Sequence, residues 1–584
     1  MAKDWQIDGA VADAPFSLKL HRGEGMVLLA MDWKTATPPP DFVGFAIEYR
    51  YPDGDRFYPV KNRIAFPGRS QPLVPGKPAE QYPSPAAPFQ TFRWVHFPRV
   101  DSSTKGLFAY RVTPMFMNSE AVLAAGIAQE AAIELNAETM PGQLNVTFTR
   151  GYVSSQAFVD KFGGQAAFAG LIPANADDGN DFTPTGANAA AAYAWMGFEA
   201  RASILQLLDD AIADAAEVRV VAFELNLPEL IDRFARIGPK LRIIIDDSSN
   251  LKTKDGKTSG KDKGAPDAAE SKAAATLAAA GADVSRQHMG ALQHNKMIIV
   301  DGPTVKKVVF GSTNLSWRGF FVQANNAVIV TGKDIVRQQR DAFDSYWGAK
   351  PAEFAKSAAA DWRPLQLAGL DAQVTMSPHN AAHSTQKGIA DAMDAATSSI
   401  FYSLAFLNLI AGDVKNAVTR ATERADLFVY GISDQPTKLE LMQPGSTNPV
   451  PVSAASLGAG LPEPFRSEAT GGAGVKMHHK FVVIDFNLPT ARVYTGSYNF
   501  SNPADRSNGE NLLVINSERI ATAYMVEALR IFDSYQFRVS SKKAKADGKK
   551  RKELALPPTT PADKPWWDKF YTDPIKVRDR KLFA

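Results

Sequence analysis

The sequence predicts an α/β protein, two similar α/β-sheet units related by pseudo-twofold symmetry and preceded by an all-β sandwich domain. Three observations carry this. The first 145 residues alternate apolar and aromatic runs with Pro, Gly and Asp clusters and show no long helical period. From about residue 190, amphipathic helices alternate with buried strands. The same order of elements returns from about 372, and each round contains a strand that carries a His, a Lys two residues on and an Asp five after that: HNKMIIVD (294–301) and HHKFVVID (478–485). The boundaries are drawn at 1–145 for the sandwich, 146–365 and 366–540 for the two units, and 541–584 for a basic and aromatic tail.

In the amino-terminal part, GMVLLAMDW, FVGFAIEYRY, FQTFRWVHF and LFAYRVTPMFM read as strands of an antiparallel sandwich. The placement of Trp33, FAIEYRY and FAYRVTPMF resembles a fibronectin type III module, which implies a spacer or docking domain. His21 and His96 are expected to be structural. In the first unit, AYAWMGFEARASILQLLDDAIADA has the 3.6-residue period of an amphipathic helix, VRVVAFELNL reads as a buried strand, LPELIDRFARIG as a helix, LRIIIDD as a strand and AESKAAATLAAAGADV as a helix. The second unit repeats the order with AQVTMSPHN, TQKGIADAMDAATS, SIFYSLAFLN, DVKNAVTRATERA and ADLFVYGISD. Sheets covered by helices on both faces follow.

Bulk properties narrow the chemistry. The 584 residues contain no cysteine, which excludes disulfides, thiolate metal sites and a Cys nucleophile. A net charge of +3 is too mild to mark the whole chain as a polyanion binder. The start, MAKDWQIDGAVADAPF, lacks a basic segment leading into an apolar one. The run SSIFYSLAFLNLIAG (398–412) falls short of a bilayer span. A soluble, cytoplasmic protein without a transmembrane segment is expected, with leaderless export left open.

Aligned on their histidines, His294, Lys296, Asp301, Gly311, Ser312, Asn314 and Asn326 fall opposite His478, Lys480, Asp485, Gly496, Ser497, Asn499 and Asn511. The last four lie at offsets 17, 18, 20 and 32 in one unit and 18, 19, 21 and 33 in the other, so one inserted loop residue reconciles them. At roughly one chance in twenty per identity, seven matches have odds on the order of one in a billion. In a strand, residues i and i+2 share a face, so each His projects with its Lys while Asn295 and His479 turn away; His479 is expected to pack. A rigid basic pair suits a phosphate: Lys296, Lys480 and the amides of Asn314 and Asn499 can donate to its nonbridging oxygens without a metal or cofactor. A merely structural core would bury two His and two Lys with no anion, which is costly. Asp301 and Asp485, at the far strand ends, are read as structural, and Ser312 and Ser497 as supports of the phosphate pocket.

His-x-Lys, four residues, Asp, then Gly-Ser-x-Asn is the pattern of the phospholipase D superfamily, which 190–540 resembles. GSYNFSNPADRSNGENLLVI looks like its bacterial endonuclease branch. Two copies in one chain look like its phospholipases and tyrosyl-DNA phosphodiesterases. The resemblance implies a pseudo-twofold pair with one active site at the seam of a monomer, and two in-line displacements through a phosphohistidine. Before the shared Asn, the second unit has Glu510 and the first Asn325. A carboxylate favours the charged imidazole. Hence His478, backed by Glu510, is read as the acid, and His294, backed by Asn325, as the nucleophile.

The substrate is a phosphodiester, phospholipid or nucleic acid. Head-group hydrolysis of a phospholipid is the first reading and a metal-independent nuclease or end-processing phosphodiesterase the second. A catalytically dead binding module is the third, and intact His, Lys and Asn in both units count against it. NLKTKDGKTSGKDKG (250–264) and SKKAKADGKKRK (541–552) could steer polyphosphate or an anionic membrane surface, although solvated charge runs are the simpler reading. PWWDKFYTDP (565–574) is expected to strap over the catalytic pair. His379, in SPHN, starts the second unit, and lining the cleft is the less favoured of its readings; His288 and His383 are read as surface residues.

Overall fold

The computed structural model describes residues 3–584 except 70–79, 99–103, 152–157, 159–160, 163–169, 174, 250, 255–256, 260, 406, 408–410, 435–437, 454–476, 547–552 and 561. The chain forms two compact units, one of Met1–Ala137 with Thr522–Ala584 and one of Glu138–Ala521.

The first unit is built on two antiparallel sheets. One orders strands Gln6–Asp8, Phe16–Arg22, Val27–Trp33 and Arg93–His96; the other centres on Leu107–Met117, which pairs with Phe42–Arg50, Leu123–Ala125 and Gln129–Glu134. Alternation chooses the buried face: Phe16, Leu18 and Leu20 from one sheet meet Phe108, Tyr110 and Val112 from the other around Trp33, Phe42 and Phe45. His21 and His96 are structural here, with His21 Nε2 2.6 Å from the carbonyl of Phe583 and His96 Nδ1 3.0 Å from the hydroxyl of Tyr110.

The carboxyl-terminal aromatics complete this core. Trp567 and Phe570 are buried in it, Trp566 and Tyr571 pack against it, and Trp566 Nε1 donates to the carbonyl of Phe42 at 2.9 Å. Arg93 pairs with Asp533 and Asp579 at 2.5 and 2.7 Å, and Arg580 with Asp32. The expected strap over the catalytic pair is therefore corrected: four aromatics in six residues are better buried among the sandwich's rings than spread over a polar cleft. The boundaries shift with it. Residues 522–540, assigned to the second repeat, and the tail 541–584 belong to the sandwich unit, and 547–552 lie outside the described residues.

The second unit holds two mixed sheets that repeat one strand order. In the first, Leu144–Phe148, Asn326–Thr331, Lys306–Gly311, Met297–Asp301, Glu217–Ala222 and Leu241–Ile245 lie side by side. Their counterparts are Asp371–Ser377, Glu510–Asn516, Arg492–Gly496, Lys480–Ile484, Ser399–Ala405 and Phe428–Asp434. In both sheets the first four junctions are antiparallel and the fifth is parallel. The edges then diverge: Asp283–Arg286 adds in parallel to the first sheet, Lys438–Met442 antiparallel to the second. Leu144–Phe148 was split by the boundary drawn at 145; it is the edge strand of the first repeat. The expected helices appear as Ala189–Ala213, Pro228–Ile237, Ala269–Ala279, Gln386–Asp394 and Asp413–Glu423, and helix Lys333–Tyr346 adds to them. Among the described residues no helix is long and apolar enough to cross a membrane.

Phe570→Ala should lower the stability of the sandwich unit by about 3 kcal/mol, the usual cost of truncating a buried ring. Chemical denaturation followed by tryptophan fluorescence measures it, and turnover per folded molecule should stay at the wild-type value.

Candidate active site

The two histidine motifs meet across the seam between the two sheets. The imidazoles of His294 and His478 face each other with ring centroids 6.1 Å apart and planes 70° apart. Both rings, and the side chains of Lys296 and Lys480, are at most 6% exposed. The ladder strands begin at Met297 and Lys480, so His294, Lys296 and His478 lie on the extended lead-in rather than inside a strand. Each lysine folds back on its own motif: Lys296 Nζ donates to the carbonyl of His294 and Lys480 Nζ to that of His478, at 2.5 and 2.9 Å.

Reciprocal backbone bridges lock the lead-ins. Gln293 pairs with Gly509, and Met477 with Ala324. The amide of Gly509 donates to Leu292 at 2.8 Å and that of His478 to Ala324 at 3.1 Å. Each histidine is thereby set beside the residue that precedes the shared Asn of the opposite repeat. His294 Nδ1 lies 2.8 Å from Glu510 Oε2, and His478 Nδ1 2.8 Å from Asn325 Oδ1 and 3.1 Å from the carbonyl of Ser312.

This corrects the pairing expected from sequence, in which Glu510 backed His478 and Asn325 backed His294. The reason is strand order. In each sheet a whole strand, Lys306–Gly311 or Arg492–Gly496, separates the histidine strand from the one that follows Asn325 or begins with Glu510. Two strand spacings amount to about 9.6 Å, out of reach of a side-chain hydrogen bond.

The remaining motif residues support the four central groups. Ser312 Oγ donates to Asn325 Oδ1 at 2.9 Å, and Ser497 Oγ to Glu510 Oε2 at 2.7 Å, so both serines hold the groups behind the histidines. Asn326 Nδ2 donates to Thr495 Oγ1 at 3.0 Å, and Asn511 Nδ2 to Asn295 Oδ1 at 2.6 Å, stitching the seam. The motif glycines have a steric cause: at Gly311 (φ 130°) and Gly496 (φ 145°) a Cβ would lie 2.4 and 2.2 Å from the carbonyl oxygens of Asn326 and Asn511. Asp301 pairs with Lys306 and Arg340, while Asp485 accepts the backbone amides of Thr397, Ser398 and Ser399 at 2.7–3.1 Å; both tie strand ends. Asn314 and Asn499 each keep a buried Oδ1 without a hydrogen-bond partner among the described residues.

Of the other histidines, His479 is buried against Phe148 and Phe481. His379 does not line the cleft: it is buried between Asp505 Oδ1 (2.9 Å) and Thr375 Oγ1 (2.8 Å). His288 and His383 are exposed at the surface, near Asp247 and Asp361. Part of the lysine-rich insertion forms a hairpin of Lys252–Lys254 and Lys257–Ser259.

Sequence reasoning missed Phe223 and Glu224, which follow strand Glu217–Ala222 at its carboxyl end. The Phe223 ring packs edge-on against His294 at 4.6 Å, and Lys296 Nζ lies 4.6 Å from its centroid. Glu224 Oε2 accepts from Asn314 Nδ2 at 3.0 Å and Ser316 Oγ at 2.8 Å. The available signal was a carboxylate just beyond a buried strand that adjoins the histidine strand.

Burial first, and crowding of like charges after it, set the protonation states. Burial, then Lys296 and Lys480, hold the His294 imidazolium well below its ordinary range; burial, Lys480, Lys296 and His294 do the same to His478. Burial drives Lys296 well down and Lys480 to about 7, against the pull of Glu510. Burial pushes Glu510 up to about 7 although Lys296 opposes it. Glu224 is different. Burial would raise it, but Lys263, Arg318 and Lys261 outweigh that and hold it at about 2. The centre is thus a dry, donor-rich pocket short of negative charge, with two neutral imidazoles aimed at one point. Such a pocket can take an oxyanion and present a nitrogen lone pair to it.

The family described as cardiolipin synthase, PLD-like domain, matches residues 205–347 and 455–532. The mitochondrial cardiolipin hydrolase of Xenopus laevis is 41% identical over 59 residues, which are 10% of this chain and 26% of that protein. The match thus spans about a quarter of the relative's length. Among solved structures, phosphatidylserine synthase of Haemophilus influenzae Rd KW20 aligns over 59% of this chain and 92% of its own, at 12% identity and a TM-score of 0.37. Nuc from Salmonella typhimurium, a phospholipase D family member, aligns over 29% and 95%, at 22% identity and a TM-score of 0.18. With the family matched in two segments, each reaching one of the paired motifs, the chain carries a phospholipase D-like domain.

Proposed function

We propose that the protein is a phosphodiesterase that releases phospholipid head groups through a covalent phosphohistidine, without a metal. The observation that carries this is the facing pair of imidazoles 6.1 Å apart, flanked by two buried lysines. A phosphorus centre approached at about 3–3.5 Å from one side fits between them. The names of the matching relative and family, a cardiolipin hydrolase and a cardiolipin synthase domain, support a lipid phosphodiester. The lysine-rich hairpin at 252–259 favours the second reading, a nuclease.

With both Nδ1 atoms engaged, each Nε2 is the working nitrogen. The bound phosphodiester anion favours the charged ring of His478, which takes up a proton at Nε2 from solvent; His294 Nε2 then attacks phosphorus and the P–O bond to the leaving group breaks as His478 Nε2 gives that oxygen this proton. Water then attacks phosphorus, His478 takes its proton, and the P–N bond to His294 breaks. The corrected pairing changes the grounds for these roles. Attack puts positive charge on the nucleophile's ring, so a carboxylate behind it interacts more strongly in the transition state than before it, and Glu510 stands behind His294. An acid loses charge as it reacts, and the neutral amide of Asn325 leaves His478 the readier donor.

Offered phosphatidylcholine, phosphatidylethanolamine and single- and double-stranded DNA in excess chelator, the protein should release head groups. Nucleotide release would select the nuclease, silence a binding module, and activity only with added divalent metal would defeat the mechanism. With an activated aryl phosphodiester, His478→Asn should accumulate a phosphoadduct that peptide mapping places on His294. Adding Glu510→Gln should slow its formation about 10- to 100-fold, the worth of one charged hydrogen bond. An adduct on position 478 in the reciprocal variant would reverse the roles.

Anion binding also has a predicted sign. An anion at the lysines raises the pKa of Lys480 and Glu510, both about 7 in the free site, so sulfate binding at pH 7–8 should take up protons and weaken as pH rises. Calorimetry in buffers of different ionisation enthalpy would show it, and proton release would contradict it.

A further inference from the structure

Glu224 breaks the symmetry of the site. It stands seven residues after Glu217, which pairs with Asp301; the matching position, seven after Ser399, is Phe406, so only one repeat supplies a carboxylate there. Its Oε2 is fixed by Asn314 and Ser316, while among the described residues Oε1 accepts no hydrogen bond, and the side chain is only half-buried. The neighbouring Lys263 is committed elsewhere, to Glu270 Oε1 at 3.2 Å and to the carbonyl and ring of Phe223. Basic neighbours keep Glu224 ionised at any physiological pH. Beside a pocket that draws in a phosphate with Lys296 and Lys480, the open acceptor therefore offers a fixed negative charge.

We propose that Glu224 is a specificity-determining residue that selects phosphodiesters whose head group carries a primary ammonium, as in ethanolamine or serine, by accepting its N–H at Oε1. The inference rests on the phosphodiesterase reading above. The charges of such a zwitterion match the site, with phosphate toward the lysines and ammonium toward Glu224. A quaternary ammonium has no N–H to give, and a polynucleotide would bring a second phosphate toward the carboxylate.

The test compares kcat/KM for phosphatidylethanolamine and phosphatidylcholine of identical acyl chains in the wild type, Glu224→Gln and Glu224→Asp. Glu224→Gln keeps an acceptor for Asn314 but removes the charge. The wild type should prefer phosphatidylethanolamine, the preference should fall at least about tenfold in Glu224→Gln, and Glu224→Asp should restore part of it. Equal losses on both lipids in Glu224→Gln would reduce Glu224 to a positioning residue for Asn314 and overturn the inference. Wild-type hydrolysis of both lipids without preference would overturn it while leaving the phosphodiesterase reading standing. Failure to hydrolyse either lipid would remove that reading's lipid arm and the inference with it.

Discussion

Two imidazoles and two ammonium groups share one dry seam in which Glu510 is the fully buried carboxylate facing them. Burying cations costs several kcal/mol each unless they are paired, and the fold answers only part of that cost by letting the imidazoles stay neutral and the lysines approach neutrality. What remains is a standing demand for an anion at the point where the four groups converge. The bridges at Gln293 and Met477, the stitching amides of Asn326 and Asn511 and the braced strand ends at Asp301 and Asp485 all hold that demand in place.

The same scaffold divides labour between identical motifs. Both histidines emerge from equivalent lead-ins, yet one rests on a carboxylate and the other on an amide, each delivered by the opposite sheet. Ser497 and Ser312 hold those two groups in matching fashion. Chemistry that needs one ring to gain charge while the other loses it is thereby served by a difference of a single side chain on each side.

Much of this was legible in the sequence. Period-2 and period-3.6 patterns placed the elements, and spacing alone brought His294, Lys296, His478 and Lys480 together as a set. The exchange of Glu510 and Asn325 was not read, because it depends on which strands are neighbours rather than on how far apart residues lie in the chain. A count of the three successive antiparallel strands after each histidine would have revealed the gap. The aromatic segment at 565–574 was misplaced for a related reason: its composition fits any apolar surface, and only the sandwich's unfilled face decides where it goes. Glu224 escaped notice because it has no partner at the matching position of the other repeat, so a search for repetition passes over it.

Exchange across the seam bears on the ancestry of such a chain. In a homodimer of one repeat, strict twofold symmetry would force both backing positions to be the same residue: two amides from the first half or two carboxylates from the second. Joining the halves in one polypeptide lifts that restriction. With both halves in one polypeptide the two histidines keep a common fold and yet stand in different environments, Glu510 behind His294 and Asn325 behind His478.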